Sequence, residues 1–203
     1  MQIERIYYPL KTLGYGNRVG IWTVGCPHRC FRCCNEELQP ADDTKEVPLE
    51  KIYTLISNIK ESVDGVTLSG GDPFFQAEEL NNLVNWLKEK GIDDILIYSG
   101  FTLEELRKMN NVYINDVLSK IAVLIDGKYV EELNDDLPMR GSSNQRIHIF
   151  KDEFKKKYED LLKGDRTIQP LIVENNIITL GIPPKNYKNS LKEFSYKKGM
   201  NIS

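Results

Sequence analysis

Apolar and polar residues alternate along this chain in two periods, and the periods take turns. Arg18 to Val24, RVGIWTV, is apolar and β-branched, and predicts a strand. Glu50 to Lys60 places Ile52, Leu55, Ile56 and Ile59 at helical spacing. Gly65 to Leu68 is a short apolar strand, closed by Ser-Gly-Gly-Asp-Pro. Ala77, Leu80, Leu83, Val84 and Leu87 mark an amphipathic helix that Gly91 stops. Ile95 to Tyr98 is the next strand, and Thr102-Leu-Glu-Glu105 supplies a capping box for the helix after it. Tyr113 to Ser119 reads as another helical turn or two. Ile121 to Ile125, IAVLI, has the continuous apolar character of a strand buried on both faces, and Arg146 to Phe150 is a further strand candidate.

Strands alternating with helices predict an α/β fold with a parallel sheet. Ligands of such sheets gather at the carboxyl ends of the strands. The loops at those ends carry the unusual residues: a cysteine-rich loop, Ser69 to Pro73, Ser99-Gly100, and Asp126-Gly-Lys128. Residues 151–203 break the pattern. Lys151 to Lys163 is a highly charged helix candidate. Thr167 to Val173 and Ile177 to Leu180 flank Glu174-Asn175-Asn176, a plausible hairpin turn. A lysine-rich tail, read as solvated surface, follows Pro183-Pro184. The expected division is a core domain over 1–150 and an extension over 151–203.

Composition changes this picture little. The 203 residues are 40% hydrophobic and 28% charged, with net charge −3, which argues against a general nucleic-acid binder. No apolar run approaches the roughly 20 residues of a membrane helix. The opening MQIERIYYPLKTLGYG lacks the apolar core of a signal peptide, so the cytoplasm is the expected compartment.

Cysteine placement changes it a great deal. All four cysteines, Cys26, Cys30, Cys33 and Cys34, fall in GCPHRCFRCCNEE. A reducing compartment disfavours structural disulfides, so clustered thiols point to metal or catalysis. Zinc usually takes four ligands in two separated pairs. Here Cys34 and His28 would have to close the tetrahedron from inside the same short loop. C-x3-C-x2-C through Cys26, Cys30 and Cys33 instead suits a [4Fe–4S] cluster with one iron left open. A zinc knot, or thiols packed as small hydrophobes, are the plain alternatives. Gly70 and Gly71 let backbone approach a ligand closely, although S-G-G-D-P also suits an ordinary strand-to-helix turn.

The motif C-x3-C-x2-C is the signature of the radical S-adenosylmethionine (SAM) superfamily. More narrowly, the chain resembles the activating enzymes of anaerobic (class III) ribonucleoside-triphosphate reductases. The resemblance runs from about Tyr7 to His148. It rests on YYP at Tyr7, G-x-G-x-R at Gly14, Gly16 and Arg18, GCPHRC at Gly25, and CCN at Cys33. Further along it takes in LSGGDP at Leu68, YSGFTLEEL at Tyr98, VLIDGKYVEEL at Val123 and RGSSNQ at Arg140. Asn35, two residues after the third cysteine, fits the glycyl-radical activating enzymes.

The resemblance implies a partial, laterally open (β/α) barrel, here with a C-terminal extension containing a β-hairpin. Cys26, Cys30 and Cys33 would hold the cluster, and its open iron would chelate SAM. Reductive cleavage would give methionine and a 5′-deoxyadenosyl radical, which takes a hydrogen atom from a glycine of the large reductase subunit. A flavodoxin- or ferredoxin-type donor would supply the electron. Gly70 and Gly71 would cradle the methionine end, with Asp72 facing its ammonium and Ser99 the ribose or carboxylate. Asp126 and Lys128 are candidates near SAM, and Arg32 and Cys34 lie near the adenine by proximity. Arg140 and Asn144 would close the pocket. His28 is read as loop-shaping, His148 as structural, and Trp22 and Trp86 as core. Two features depart from the family: Cys34 stands where an aromatic is usual, and about 50 residues extend past Phe150. The same core also serves enzymes acting on peptides or small molecules, which is the alternative substrate class. A third reading, a non-enzymatic zinc or iron–sulfur binding protein, leaves Gly70-Gly71 and Asp126 unexplained.

Overall fold

Successive side chains of a strand point to opposite faces, so the continuous apolar runs give each central strand two apolar faces, and each face meets a different partner. The computed structural model describes residues 1–173, 176–185 and 187. Six strands pair in chain order: β1 (Ile3–Leu10), β2 (Arg18–Thr23), β3 (Gly65–Gly70), β4 (Ile95–Tyr98), β5 (Val123–Asp126) and β6 (Arg146–Ile149). β2 to β5 are parallel, and the edge strands β1 and β6 run antiparallel to their neighbours. The fold is therefore mixed α/β with a mostly parallel central sheet. The sequence pattern suggested a parallel sheet, gave no direction for the last strand and left β1 unread. The edges turn back for a physical reason. A parallel connection needs a crossover of a dozen or more residues, usually helical. The β1–β2 link is only residues 11–17, and the β5–β6 link contains no α-helix.

Helices α1 (Leu49–Ile59), α2 (Ala77–Glu89) and α4 (Val112–Lys120) cover one face. Ile52, Ile56, Leu80, Leu83, Val84, Leu87 and Val117 pack there against Val19, Ile21, Val66, Leu68, Ile95, Ile97 and Leu124. Trp86 is half-buried at the edge of this layer, stacked on Tyr53 at 4.5 Å. Helix α3 (Leu103–Lys108) starts at the anticipated capping box, with both reciprocal Thr102–Glu105 bonds present.

The opposite face is covered by residues beyond 150. α5 (Asp152–Leu161) sets Phe154 and Tyr158 against Leu96, Val123 and Ile125. β7 (Ile168–Val173) and β8 (Asn176–Gly181) pair antiparallel, and Leu180 packs with Leu10, Trp22 and Leu38. Residues 174–175, within the anticipated turn, and most of the lysine-rich tail lie outside the described residues.

One buried polar cluster locks the lower end of the sheet. Arg18 is fully buried and pairs with Asp94 at 3.0 Å. Its Nε donates to Thr67 Oγ1 at 2.7 Å, and Nη2 donates to the carbonyls of Val66 and Asp94 at 2.8 Å. Tyr158 donates to Asp94 Oδ1 at 2.6 Å, which ties α5 to the same knot. A Cβ at Gly14 would sit 2.6 Å from Arg18 Nε, so G-x-G-x-R is here an architectural motif. Among the described residues no helix is long and apolar enough to cross a membrane.

Candidate active site

The cysteine loop leaves the carboxyl end of β2 and returns on itself. Gly25 N–H donates to Leu38 O and Cys26 N–H to Gln39 O, both at 2.8 Å. Between these anchors the chain turns sharply at two non-glycine residues, Arg29 (φ 52°) and Arg32 (φ 55°). Each immediately precedes a cysteine. Left-handed backbone costs about 1–2 kcal/mol for an L residue and concentrates at functional sites.

All four thiols are free. Cys26, Cys30 and Cys33 are half-buried and Cys34 is exposed. Burial pushes the Cys26 and Cys30 thiols up, and the charges of neighbouring thiols add to it. Cys33 is held down to about 6, chiefly by a hydrogen bond from Cys34. The three half-buried thiols therefore lie within electrostatic reach of one another. Among the described residues, no three His, Cys, Asp or Glu side chains converge as ligands on a single ion. Three free, half-buried thiols on one short loop are a donor set of the kind that holds an iron–sulfur cluster. The Tyr98 hydroxyl adds a second observation. It is buried and, among the described residues, has no hydrogen-bond partner. An orphaned buried hydroxyl at the carboxyl end of β4, the sheet edge that carries the cysteine loop, is compatible with a group bound there.

The loop after β3 locks onto the cysteine loop. Gly71 N–H donates to Thr23 O at 2.7 Å and Asp72 N–H to Gly25 O at 2.8 Å. Gly70 has φ +110°, and a Cβ on it would collide with the Thr23 backbone. A Cβ on Gly71 would collide with Gly25 O. Both glycines are thus required by the close approach of two loops, whatever else their backbone binds. Asn35 Nδ2 donates to Gly70 O at 3.3 Å and joins the third cysteine's segment to the same turn.

Asp72 and Ser99, expected at the cofactor, spend their polar atoms on protein. Asp72 is fully buried. It accepts from Phe74 N, Ser99 Oγ, Gly100 N and His28 Nε2, at 2.9–3.1 Å. Ser99 Oγ also accepts from Phe101 N. Asp126 is likewise buried. Its Oδ2 accepts from Leu103 N at 2.6 Å and Arg146 Nη2 at 2.7 Å; His148 Nε2 lies 3.0 Å away but makes no hydrogen bond to it. The β5–β6 register sets Asp126 opposite Arg146. Burial raises this carboxyl, but the bonds from Arg146 and Leu103 outweigh it and hold it below the usual carboxylate range.

The Asp126-Gly-Lys128 loop does reach the cysteines. Lys128's charge and the Tyr129 N–H both favour the Cys30 thiolate. Asn144 Nδ2 donates to Lys128 O at 2.8 Å, and Gln145 Nε2 to Gly127 O at 2.8 Å. Arg140 pairs with Asp135 at 2.5 Å. Arg32 reaches Glu131 across the surface at 3.3 Å. Sequence reasoning left Arg146 and the His28–Asp72 contact unassigned. Their only trace was a histidine inside the cysteine loop and an arginine directly after RGSSNQ.

Comparison with known proteins finds relatives over most of this chain. A family model described as a 4Fe-4S single cluster domain matches residues 12–148. The anaerobic ribonucleoside-triphosphate reductase-activating protein of Enterobacteria phage T4 is 33% identical over 151 residues, covering 72% of this chain and 93% of its own. Its Haemophilus influenzae namesake is 36% identical over 156 residues, 71% of this chain and 96% of its own. A solved structure, QueE from Escherichia coli, aligns with 98% of this chain and 91% of its own at 13% identity and TM-score 0.44. Cysteine loop, glycine turn and parallel strand ends all lie inside the matched span, and the chain belongs to the 4Fe-4S single cluster domain family, with the anaerobic ribonucleoside-triphosphate reductase-activating proteins as its relatives.

Proposed function

We propose that this chain is a radical SAM activating enzyme that generates a glycyl radical on an anaerobic ribonucleoside-triphosphate reductase. The observation that carries this is the set of three free, half-buried thiols on a strained loop pinned to Gly70-Gly71, in a chain whose relatives bear that activating name. Relatives at 33–36% identity disfavour a small-molecule or peptide substrate.

Cys26, Cys30 and Cys33 would hold the [4Fe–4S] cluster. When bound, the cluster supplies an electron and an open coordination site for SAM, and the chain supplies placement and shielding. The Gly70-Gly71 backbone would border the methionine end. Lys128, Arg32 and the exposed Cys34 would stand around the cofactor. Asp72, Ser99 and Asp126 would act from behind, by holding the loops. The strand order, with α1, α2 and α4 all on one face within 1–150, supports a partial barrel open at its sides, with 1–150 as core. The family match ends at residue 148, close to that boundary. In 151–203, the β7–β8 pair would be joined as a hairpin. The open side would receive a glycine-bearing loop of the large reductase subunit. Exposed Arg29 and Arg32 suit an acidic flavodoxin- or ferredoxin-type donor, and four free thiols support a cytoplasmic setting.

Anaerobic reconstitution should load about four irons per chain and permit SAM cleavage under reduction. With the reductase added, an organic radical signal should appear in its spectrum. Zinc uptake without SAM cleavage would overturn this assignment.

A further inference from the structure

The Asp72 carboxylate joins three loops at once. Oδ1 accepts from Phe74 N and Ser99 Oγ, and Oδ2 from Ser99 Oγ, Gly100 N and His28 Nε2. These donors belong to the loops after β2, β3 and β4. His28 lies midway between Cys26 and Cys30 and is itself wedged. Its side chain is 5% exposed, its ring meets Phe101 edge-on at 4.3 Å, and a Cβ on Gly100 would collide with it.

We propose that His28 and Asp72 are positioning residues, a buried strut that sets the cysteine loop at a fixed height over the ends of β3 and β4. This rests on the reading that the loop carries the cluster. A carboxylate whose two oxygens face four protein donors has no free face for a cofactor ammonium. Its task is mechanical: without the strut, the segment between Cys26 and Cys30 has no side-chain anchor to either strand end among the described residues. A displacement of about 1 Å at a reacting centre costs on the order of 100-fold in rate.

The test has two arms. In the cluster-free full chain, hydrogen exchange is compared among wild type, His28→Ala, His28→Gln and Asp72→Asn. His28→Ala should speed exchange of the Cys26 and Cys33 amides about tenfold while the central strands stay protected. His28→Gln, which keeps an N–H for Asp72, should restore most of the protection. In reconstituted protein, His28→Ala and Asp72→Asn should lower kcat for SAM cleavage about 10- to 100-fold and change KM for SAM less than about threefold. The spectrum of the reduced cluster should broaden. Unchanged exchange in His28→Ala, or His28→Gln no better than alanine, overturns the strut. So does a tenfold KM rise with kcat intact in Asp72→Asn, which would assign Asp72 to the cofactor. Wild type that takes up no iron yet shows the expected exchange pattern would sink the functional reading and leave the strut standing.

Discussion

Replacing Arg18 by methionine is the sharpest test of how this fold is held. The guanidinium is fully buried and donates to Asp94, Thr67, Val66 O and Asp94 O. Methionine fills much of the volume but none of the donor positions. Asp94, 3% exposed, would be left with Tyr158 as one remaining side-chain donor. Breaking a buried pair by removing one partner costs about 3–5 kcal/mol. Total stability is about 5–15 kcal/mol, so the loss takes a large share of it. At about 2–4 °C per kcal/mol for a chain of this size, Tm should fall by about 6–20 °C. Urea unfolding followed by circular dichroism measures this directly, with the slope m unchanged. The triple variant R18M/D94L/Y158F removes charge and partners together. It should recover to within about 1–2 kcal/mol of wild type, because an apolar core of similar volume replaces a costly buried pair. If R18M lost less than about 1 kcal/mol, or the triple variant were no better than R18M, the cluster would not be the clamp described here.

Other expectations follow from the same contacts. Serine at Cys26, Cys30 or Cys33 should each abolish cluster loading measured by iron content, while Cys34→Ser should retain it. Gly100→Ala should push against the His28 ring and lower iron loading with little change in circular dichroism. Tyr158→Phe should cost about 1.5–3 kcal/mol in urea unfolding, the worth of a hydrogen bond to a charged group. Arg146 holds Glu104 down to about 2 and outweighs the burial that raises Asp126. Lowered carboxyls contribute stability that is complete above their ordinary range, near pH 4, and is lost as pH falls towards 2. Arg146→Ala should therefore flatten acid unfolding across that window. An unchanged acid profile would rule the pairing out.

Much of this protein is written locally. Short apolar runs marked β2 to β5 and the 3.6 period marked α1, α2 and α4, because a strand buried on both faces is apolar throughout and a helix buries one stripe, whatever lies across from it. The Thr102–Glu105 cap was legible for the same reason: its bonds span three residues. The cysteine spacing was legible because a cluster needs its donors on one short loop. The β1 strand escaped notice because it sits at a sheet edge, where most of its positions are only half-buried and alternation fades.

Contacts that span the sheet were not legible. Asp72 and Asp126 read as cofactor carboxylates because they end strands beside glycines. Only the packed structure aims their oxygens at His28, Gly100, Leu103 and Arg146, residues 20 to 44 positions away. Gly70 and Gly71 read as a cradle, and the fold adds that two loop backbones meet where their Cβ atoms would be. Arg18 read as part of a motif, and the fold made it a buried knot with Asp94 and Tyr158. Sequence periodicity and spacing determined which elements form and where the thiols gather, since those depend on neighbours along the chain. Which polar groups are spent on holding the site, and which are left to face a ligand, was decided only when distant loops closed on one another, because a buried charge must find its partners wherever the fold places them.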